Sequence, residues 1–230
     1  MKRIHSIDFT RGLVMVIMAL DHVRDLMHVT SLNQAPTNLQ TTTTGLFMTR
    51  WITHLCAPTF VFLSGVSAYI SFSRLGNRTA SRNFLFNRGL WLVILEFTVV
   101  NFALWMDIHF RTLIMEVICA IGVGFIVLSF LLKLRARSIG IIGLVIIFGH
   151  NLLQGISFPA NPVLNTIASV LFAPNMLRVP PEFTFLVGYP LVPWLGILLL
   201  GFACGKLFDL PLARRKKIFR QLGIASLLFF

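Results

Sequence analysis

The chain has 230 residues, of which 56% are hydrophobic and only 12% are charged, and its mean hydropathy is +0.82. A soluble domain usually carries about twice that share of charged residues, so the composition excludes an ordinary soluble protein and indicates an integral membrane protein. The formal net charge of +12 does not indicate nucleic acid, because the basic residues fall in short loops between apolar segments, where the positive-inside rule places them.

Six apolar segments are long enough, at about 20 residues, to cross a bilayer as helices. In chain order the predicted spans are Phe9–Met27, Ile52–Phe72, Phe84–Met106, Leu113–Leu132, Ser138–Phe158 and Phe183–Phe208. A seventh segment begins near Ile218 and reaches Phe230 after 13 residues, which is too short to cross. We therefore expect an all-α, polytopic transmembrane helix bundle with six full spans plus a truncated seventh, forming one membrane-embedded domain over residues 1–230 that is incomplete at its C-terminus.

The basic residues are distributed unevenly between the two faces of the predicted bundle. Fifteen of the 20 Lys and Arg residues lie on the same face as the N-terminus, four lie on the opposite face, and Arg11 lies inside span one. The positive-inside rule then predicts a cytoplasmic N-terminus, with the end of span one facing outward. We expect a multi-pass protein of the bacterial inner membrane, with a short interfacial helix at Leu164–Phe172 in an outer loop.

An ionisable cluster of Asp21, His22, Arg24 and Asp25 closes span one. Such a cluster is costly in a membrane helix and indicates a functional site. His22 is suited to general-base catalysis, because its unperturbed pKa of about 6.5 lets it exchange a proton near neutral pH. Asp25 follows His22 by three residues, which is the spacing of a supporting carboxylate, and Asp21, Asp25 and His28 share one helix face. The alternative is a charged helix end that meets water and neutralises itself.

Further polar residues lie near the ends of the first two spans. Arg11 is predicted to bind an anionic group, although a local ion pair with Asp8, three residues away, is the alternative. Arg50 and His54 are four residues apart at the outer start of span two, where Pro58 predicts a bend. They are candidate substrate-binding residues together with Arg11 and Arg24, with satisfied interfacial polar groups as the alternative.

Other residues within the spans carry weaker indications. Glu96, Glu116 and His150 are intramembrane polar groups that could serve structural pairing or function. The segment Ser64–Ala68 is a small-residue face typical of close helix packing. The cysteines show no disulfide or zinc spacing, and no metal site is predicted.

Three segments carry a family resemblance. The sequence from Ile7–Gly12 through Asp21–Asp25 resembles the first helix of the DUF1624 family, which is similar to the catalytic domain of heparan-alpha-glucosaminide N-acetyltransferase. The segments His54–Gly65 and Tyr189–Gly196 extend the resemblance along most of the chain. The spacing from the Arg-Gly pair to the histidine also resembles the wider transmembrane acyltransferase group, in which that histidine is catalytic.

The resemblance implies transfer of an acetyl or other acyl group from cytoplasmic acyl-CoA to a hydroxyl or amine of a sugar on the outer side. His22 is carried over as the catalytic residue, while the catalytic roles of Asp21 and Asp25 are inferred from spacing. Arg24 or Arg50 would offset developing negative charge. Acetyl-CoA is then a co-substrate and no cofactor is bound permanently. The expected partners are membrane lipid, acyl-CoA and a glycan or sugar acceptor, with no nucleic acid and with a homo-oligomer left open.

Two other functions fit parts of the sequence. A proton-coupled membrane transporter would use the same intramembrane Asp, His and Glu side chains as a proton relay. A haem or quinone redox protein would need paired axial histidines, but the spacing of His22, His28, His54 and His150 does not single out such a pair.

Overall fold

The computed structural model describes residues 4–27, 38, 40, 42–154, 162–179 and 183–229, and the fold is 79% helical. The helices are α1 (His5–Met27), α2 (Thr44–Thr53), α3 (Cys56–Leu75), α4 (Arg78–Leu95), α5 (Asn101–Trp105), α6 (Val117–Leu131), α7 (Ala136–Gln154), α8 (Pro162–Phe172), α9 (Leu191–Gly205) and α10 (Leu212–Phe229). The strands are β1 (Thr112–Met115), β2 (Asn175–Val179) and β3 (Phe183–Val187). A π-helical turn (Glu96–Val100) joins α4 to α5, and a 3-10 turn (Lys206–Asp209) follows α9.

The predominantly helical prediction is confirmed, but the strictly all-α prediction is wrong. The three strands form one sheet in the order β1-β3-β2, with β1 parallel and β2 antiparallel to β3. Predicted spans four and six began in Leu113–Met115 and Phe183–Val187, which are strand residues. Hydropathy cannot separate a short apolar strand from the first turns of an apolar helix, so both spans were started too early. The helix predicted at Leu164–Phe172 is present as α8.

Three helical stretches are long and apolar enough to cross a membrane, namely Thr44–Leu75, Arg78–Trp105 and Leu191–Asp209. Shorter apolar helices cover Val117–Leu131, Ala136–Leu152 and Val163–Phe172. The protein is therefore an integral membrane protein. The count of six full spans plus a seventh stays a prediction.

The chain divides into two compact units, Met1–Leu63 and Ser64–Phe230. In the first unit α1 packs on α2, and the buried apolar residues include Ile7, Val14 and Val61. A turn at residues 54–55 separates α2 from α3. The predicted bend is thus confirmed, and its cause is Pro58, which has no N–H to donate to the carbonyl four residues earlier.

In the second unit the helices approach one another closely through glycines. A Cβ added to Gly65 would lie 2.1 Å from the Leu198 carbonyl oxygen, and one added to Gly89 would lie 2.5 Å from the Gly122 carbonyl oxygen. Only glycine allows backbones to pack this tightly, so the predicted packing role of Ser64–Ala68 is confirmed at Gly65. The core of this unit contains fully buried leucines and isoleucine from α6, α7 and α9: Leu128, Ile139, Leu198 and Leu199.

Candidate active site

The Asp21 carboxylate is the centre of a polar cluster in the first unit. Arg24 donates to Asp21 Oδ1 and forms an ion pair with it. Arg50 Nη1 lies 3.2 Å from Oδ1 and 3.3 Å from Oδ2, and Thr53 Oγ1 donates to Oδ1 at 2.5 Å. Arg24 Nη1 also donates to Thr53 Oγ1 at 3.3 Å. We name Asp21, Arg24, Arg50 and Thr53 the Asp21 cluster.

Helical spacing on two elements assembles the Asp21 cluster. Asp21 and Arg24 are three residues apart on α1, and Arg50 and Thr53 are three residues apart on α2, so each pair shares a face. The buried residues of α1 include Ile7, Val14 and Arg24, and α1 packs on α2. Sequence reasoning identified the first three members and missed Thr53, although its spacing from Arg50 could have indicated it.

The Asp21 cluster carries more positive than negative charge. It contains one carboxylate and two guanidinium groups, which leaves a net charge of +1. The Arg24 side chain is only 5% exposed, and its charge must be compensated by its partners. The Arg50 side chain is 36% exposed, so it is the cation of the cluster that a solute can approach.

His22 lies beside the Asp21 cluster on an adjacent face of α1. Consecutive helix residues are about 100° apart, and His22 is exposed while Arg24 is buried. No hydrogen bond of the imidazole is recorded within the described part of the chain. Asp25 belongs to α1, but its side chain and the whole of His28 fall outside the described residues, so the predicted His22–Asp25 pairing stays a prediction.

The other two predicted substrate-binding residues are Arg11 and His54. Arg11 precedes His22 by 11 residues, which is about 16 Å along the helix axis. Its guanidinium donates to the Leu63 carbonyl oxygen at 3.5 Å. His54 follows α2 directly, at the break before α3, and its side chain is exposed.

A fully buried carboxylate lies in the other unit. Glu96, in the π-helical turn, has no exposed surface, and its Oε1 accepts a hydrogen bond from the Glu116 N–H at 3.0 Å. The Cys119 N–H also donates to this carboxylate. Because Glu116 is the N-cap of α6 and makes no side-chain cap bond, Glu96 supplies the missing cap from another element.

Asn101 connects the same π-helical turn to the sheet. Its Nδ2 donates to the carbonyl oxygens of Glu96 (2.7 Å) and Ile114 (2.9 Å), and its Oδ1 accepts from the Ile114 N–H at 2.6 Å. Both backbone polar groups of Ile114 in β1 are thus satisfied by one amide side chain. The Glu96 carboxylate and Asn101 fix the start of α6 and the edge of β1, which is a structural role.

No group of three or more His, Cys, Asp or Glu side chains that could hold a metal ion occurs within the described residues. His150 Nδ1 lies 2.7 Å from the Ile147 carbonyl oxygen of its own helix, which is the bonding of a satisfied helix histidine.

Comparison with known families gives a match over nearly the whole chain. The family described as heparan-alpha-glucosaminide N-acetyltransferase, catalytic, matches residues 3–229. The resemblance noted from the sequence motifs is thereby confirmed. No curated protein and no solved structure matches the chain.

Proposed function

Because the chain belongs to the heparan-alpha-glucosaminide N-acetyltransferase catalytic family, we propose that it is an integral membrane acyltransferase with its reaction centre at His22. The donor is cytoplasmic acyl-CoA, with acetyl-CoA the foremost candidate, and the acceptor is a sugar hydroxyl or amine on the outer side. Family membership supports a membrane acetyltransferase-like function. We propose in addition that acyl-CoA is the donor, that His22 is the general base and that the N-terminus is cytoplasmic.

The observation that carries the proposal is an exposed imidazole beside a cluster of net positive charge. His22 is exposed, and Asp21 on the next position of α1 is bonded to Arg24, Arg50 and Thr53. A base needs access to the acceptor, and a site for acyl transfer needs cationic or N–H groups where the oxyanion develops. Both requirements are met within one turn of α1 and the segment of α2 packed against it.

In the proposed reaction His22 takes a proton from the acceptor hydroxyl or amine as that group attacks the thioester carbonyl carbon. A bond forms between the acceptor oxygen or nitrogen and the acyl carbon, and the carbonyl oxygen gains the negative charge. When the tetrahedral intermediate collapses, the carbon–sulfur bond breaks and the thiolate of CoA receives the proton from the imidazolium. Catalysis is thereby completed with no net change in the protonation of His22.

The Asp21 cluster divides the auxiliary roles. Arg50, with the more exposed side chain, is proposed to stabilise the oxyanion or bind an anionic part of the substrate. Arg24 is buried and bonded to Asp21 and Thr53, so its role is to hold Asp21 in place. Asp21 acts through Arg50 as a positioning residue, while Asp25 remains the candidate that orients His22. Arg11 and His54 remain candidate substrate contacts.

The transporter alternative is not favoured. It needs a chain of titratable groups along a path through the membrane. Of the intramembrane acids considered, Glu96 is bound to backbone N–H groups of the α6 start, and Asp21 is bound to two arginines and a threonine. These contacts engage Asp21 and Glu96 Oε1, whereas Glu96 Oε2 has no recorded hydrogen-bond partner in the described structure. The family match points to group transfer and not to transport.

The test is acyl-CoA turnover by the protein in liposomes, screened against sugar acceptors, for wild type and His22→Ala. General-base catalysis contributes about 100- to 10,000-fold, so the substitution should lower turnover by that range while folding and acyl-CoA binding are retained. His150→Ala is the matched control, because that imidazole bonds only to its own helix carbonyl in the described structure. Retention of more than about a tenth of the wild-type activity by His22→Ala would contradict the general-base role.

A further inference from the structure

The first three turns of α10 carry basic side chains on one face and apolar side chains on the other. At about 100° per residue, Lys216, Lys217 and Arg220 fall within one arc of about 100°, and Arg214 flanks it. The opposite arc contains the large apolar residues Leu212, Ile218, Phe219 and Leu222 together with Arg215, while the small residue Ala213 lies within the basic arc. This is the pattern of an amphipathic helix that lies in a membrane interface, rather than of a loop that only satisfies the positive-inside rule.

The start of α10 is fixed by contacts to the 3-10 turn. The Arg215 guanidinium lies over the Phe208 ring at 5.1 Å and donates to the Phe208 carbonyl oxygen at 3.5 Å. The Phe208 ring also packs against Phe219, with ring centroids 5.6 Å apart. The turn itself is tied to α3, because the Tyr69 hydroxyl donates to Asp209 at 2.6 Å. The direction of α10 and the orientation of its two faces are therefore set by the fold.

The basic face remains available for a ligand. Arg215 is folded onto Phe208, whereas Arg214, Lys216, Lys217 and Arg220 are exposed. Within the described residues none of these four cations has a recorded ion pair or hydrogen bond. Four clustered positive charges without a protein counter-charge select for an anionic partner.

The apolar face limits which anionic partner fits. Leu212 is 56% exposed and Phe219 is 41% exposed, so the apolar side of the helix is only partly covered by the protein. A soluble anion would satisfy the cations and leave these side chains in water. An anionic lipid surface would satisfy both faces at once, since the acyl chain boundary accepts the apolar residues and the phosphates accept the cations.

We propose that Leu212–Leu222 of α10 is an interfacial anchor that binds the phosphate headgroups of anionic phospholipids and recruits them to this edge of the protein. The anchor, which we name the α10 anchor, is separate from the Asp21 cluster and does not depend on the acyltransferase proposal. Each Lys or Arg near an anionic surface strengthens binding by up to about fivefold at moderate salt. Charge screening should weaken the interaction at high salt.

The experiment measures which lipid is enriched beside the α10 anchor in the full-length chain. A fluorescent donor is attached at Gln221→Cys, an exposed position, and the protein is reconstituted into phosphatidylcholine vesicles. Energy transfer to a trace of acceptor-labelled phosphatidylglycerol is compared with transfer to acceptor-labelled phosphatidylcholine. We expect a preference for phosphatidylglycerol that falls at least fivefold in the variant K216Q/K217Q/R220Q.

The matched control is K133Q/R135Q/R137Q, which removes the same charge from the loop between α6 and α7. It should leave the preference beside α10 unchanged, because the effect is local. Equal preference for the two lipids in the wild type, or an equal loss in the control variant, would overturn the proposal. Displacement of the phosphatidylglycerol preference by millimolar pyrophosphate at constant ionic strength would instead assign the cations to a soluble phosphate ligand, which also overturns the proposal.

Discussion

Among the described residues, the carboxylates of Asp21 and Glu96 have contacts of two different kinds. Asp21 is bonded to side chains that carry charge, namely Arg24 and Arg50, and to the Thr53 hydroxyl. Glu96 is bonded to neutral backbone N–H groups at the start of α6. One carboxylate is part of a set of ionic side chains, and the other replaces a missing helix cap.

The two kinds of contact fit the different roles proposed for these carboxylates. The recorded Glu96 contacts are to backbone N–H groups that fix the start of α6, while its Oε2 atom is buried without a recorded hydrogen-bond partner in the described structure. Asp21 binds the partly exposed cation Arg50, and the exposed residue His22 directly follows Asp21 on α1. An arrangement of this kind costs folding free energy unless every charge stays compensated, and it is typical of a functional site.

The largest stability effect is expected for Asp21→Ala. The substitution removes the Asp21 carboxylate from its ion pair with Arg24, whose side chain is only 5% exposed. Breaking a buried ion pair by removing one partner costs about 3–5 kcal/mol of unfolding free energy. Asp21→Asn should recover only part of this loss, because the arginines require charge and not merely an acceptor. Unfolding in mixed micelles with increasing denaturing detergent measures both variants.

Asp8→Ala is the matched control for this measurement. Asp8 is an exposed carboxylate in the first turn of the same helix, where removal of its favourable dipole interaction should cost less than about 1 kcal/mol. If Asp21→Asn proves as stable as the wild type, the Asp21 cluster is not held by charge, and the contrast with Glu96 disappears.

A smaller loss of stability is expected on substitution of Glu96, and here the amide variant should be less harmful than at Asp21. Glu96→Ala leaves the buried N–H groups at the start of α6 without an acceptor, which costs about 1–3 kcal/mol. Glu96→Gln keeps an acceptor oxygen, so it should be close to the wild type in stability. Protection of the Glu116 and Cys119 amides against hydrogen exchange reports on the cap directly, and it should fall in the alanine variant alone. An equal loss of protection in Glu96→Gln would show that charge, not the acceptor, satisfies the α6 start.

Much of the first unit follows from local sequence pattern. The pair Asp21 and Arg24, the bend at Pro58 and the grouping of charges at the end of α1 are consequences of residue spacing within about one helical turn. The Asp21 and Arg50 contact joins residues 29 positions apart. It could not be predicted from the sequence, because spacing defines a face but not what that face meets.

The second unit departs further from the sequence prediction for the same physical reason. Strands β1 and β3 are apolar segments that pair across more than 70 positions, as in Thr112 with Thr184. Their hydropathy is that of a span, and only pairing distinguishes them from helix. The Asn101 side chain, which bonds both polar groups of Ile114, was also beyond prediction, since an amide in an apolar run can bond to any nearby backbone group.

A third carboxylate, Asp107, sharpens the comparison because it accepts backbone N–H groups like Glu96 but lies in an exposed turn. Its two oxygens accept from the N–H groups of His109 (2.9 Å) and Arg111 (3.0 Å). These bonds lower the pKa of Asp107 from its usual value of 3.8. Water competes for all of these groups, so the smallest effect is expected here.

The predicted change is Asp107→Asn, which keeps one acceptor oxygen and removes the charge. Because the folded pKa is lowered, the carboxylate contributes stability above the unfolded pKa of about 3.9, and the contribution is lost as the pH falls through the folded pKa. The variant should therefore unfold at a slightly lower temperature than the wild type at neutral pH, and the two midpoints should converge as the pH is lowered below about 4. Thermal unfolding in detergent over this pH range measures the difference. If the difference between the unfolding midpoints of the wild type and Asp107→Asn stays constant with pH, Asp107 acts through turn geometry alone. The backbone N–H groups of His109 and Arg111 would then not favour its charged form.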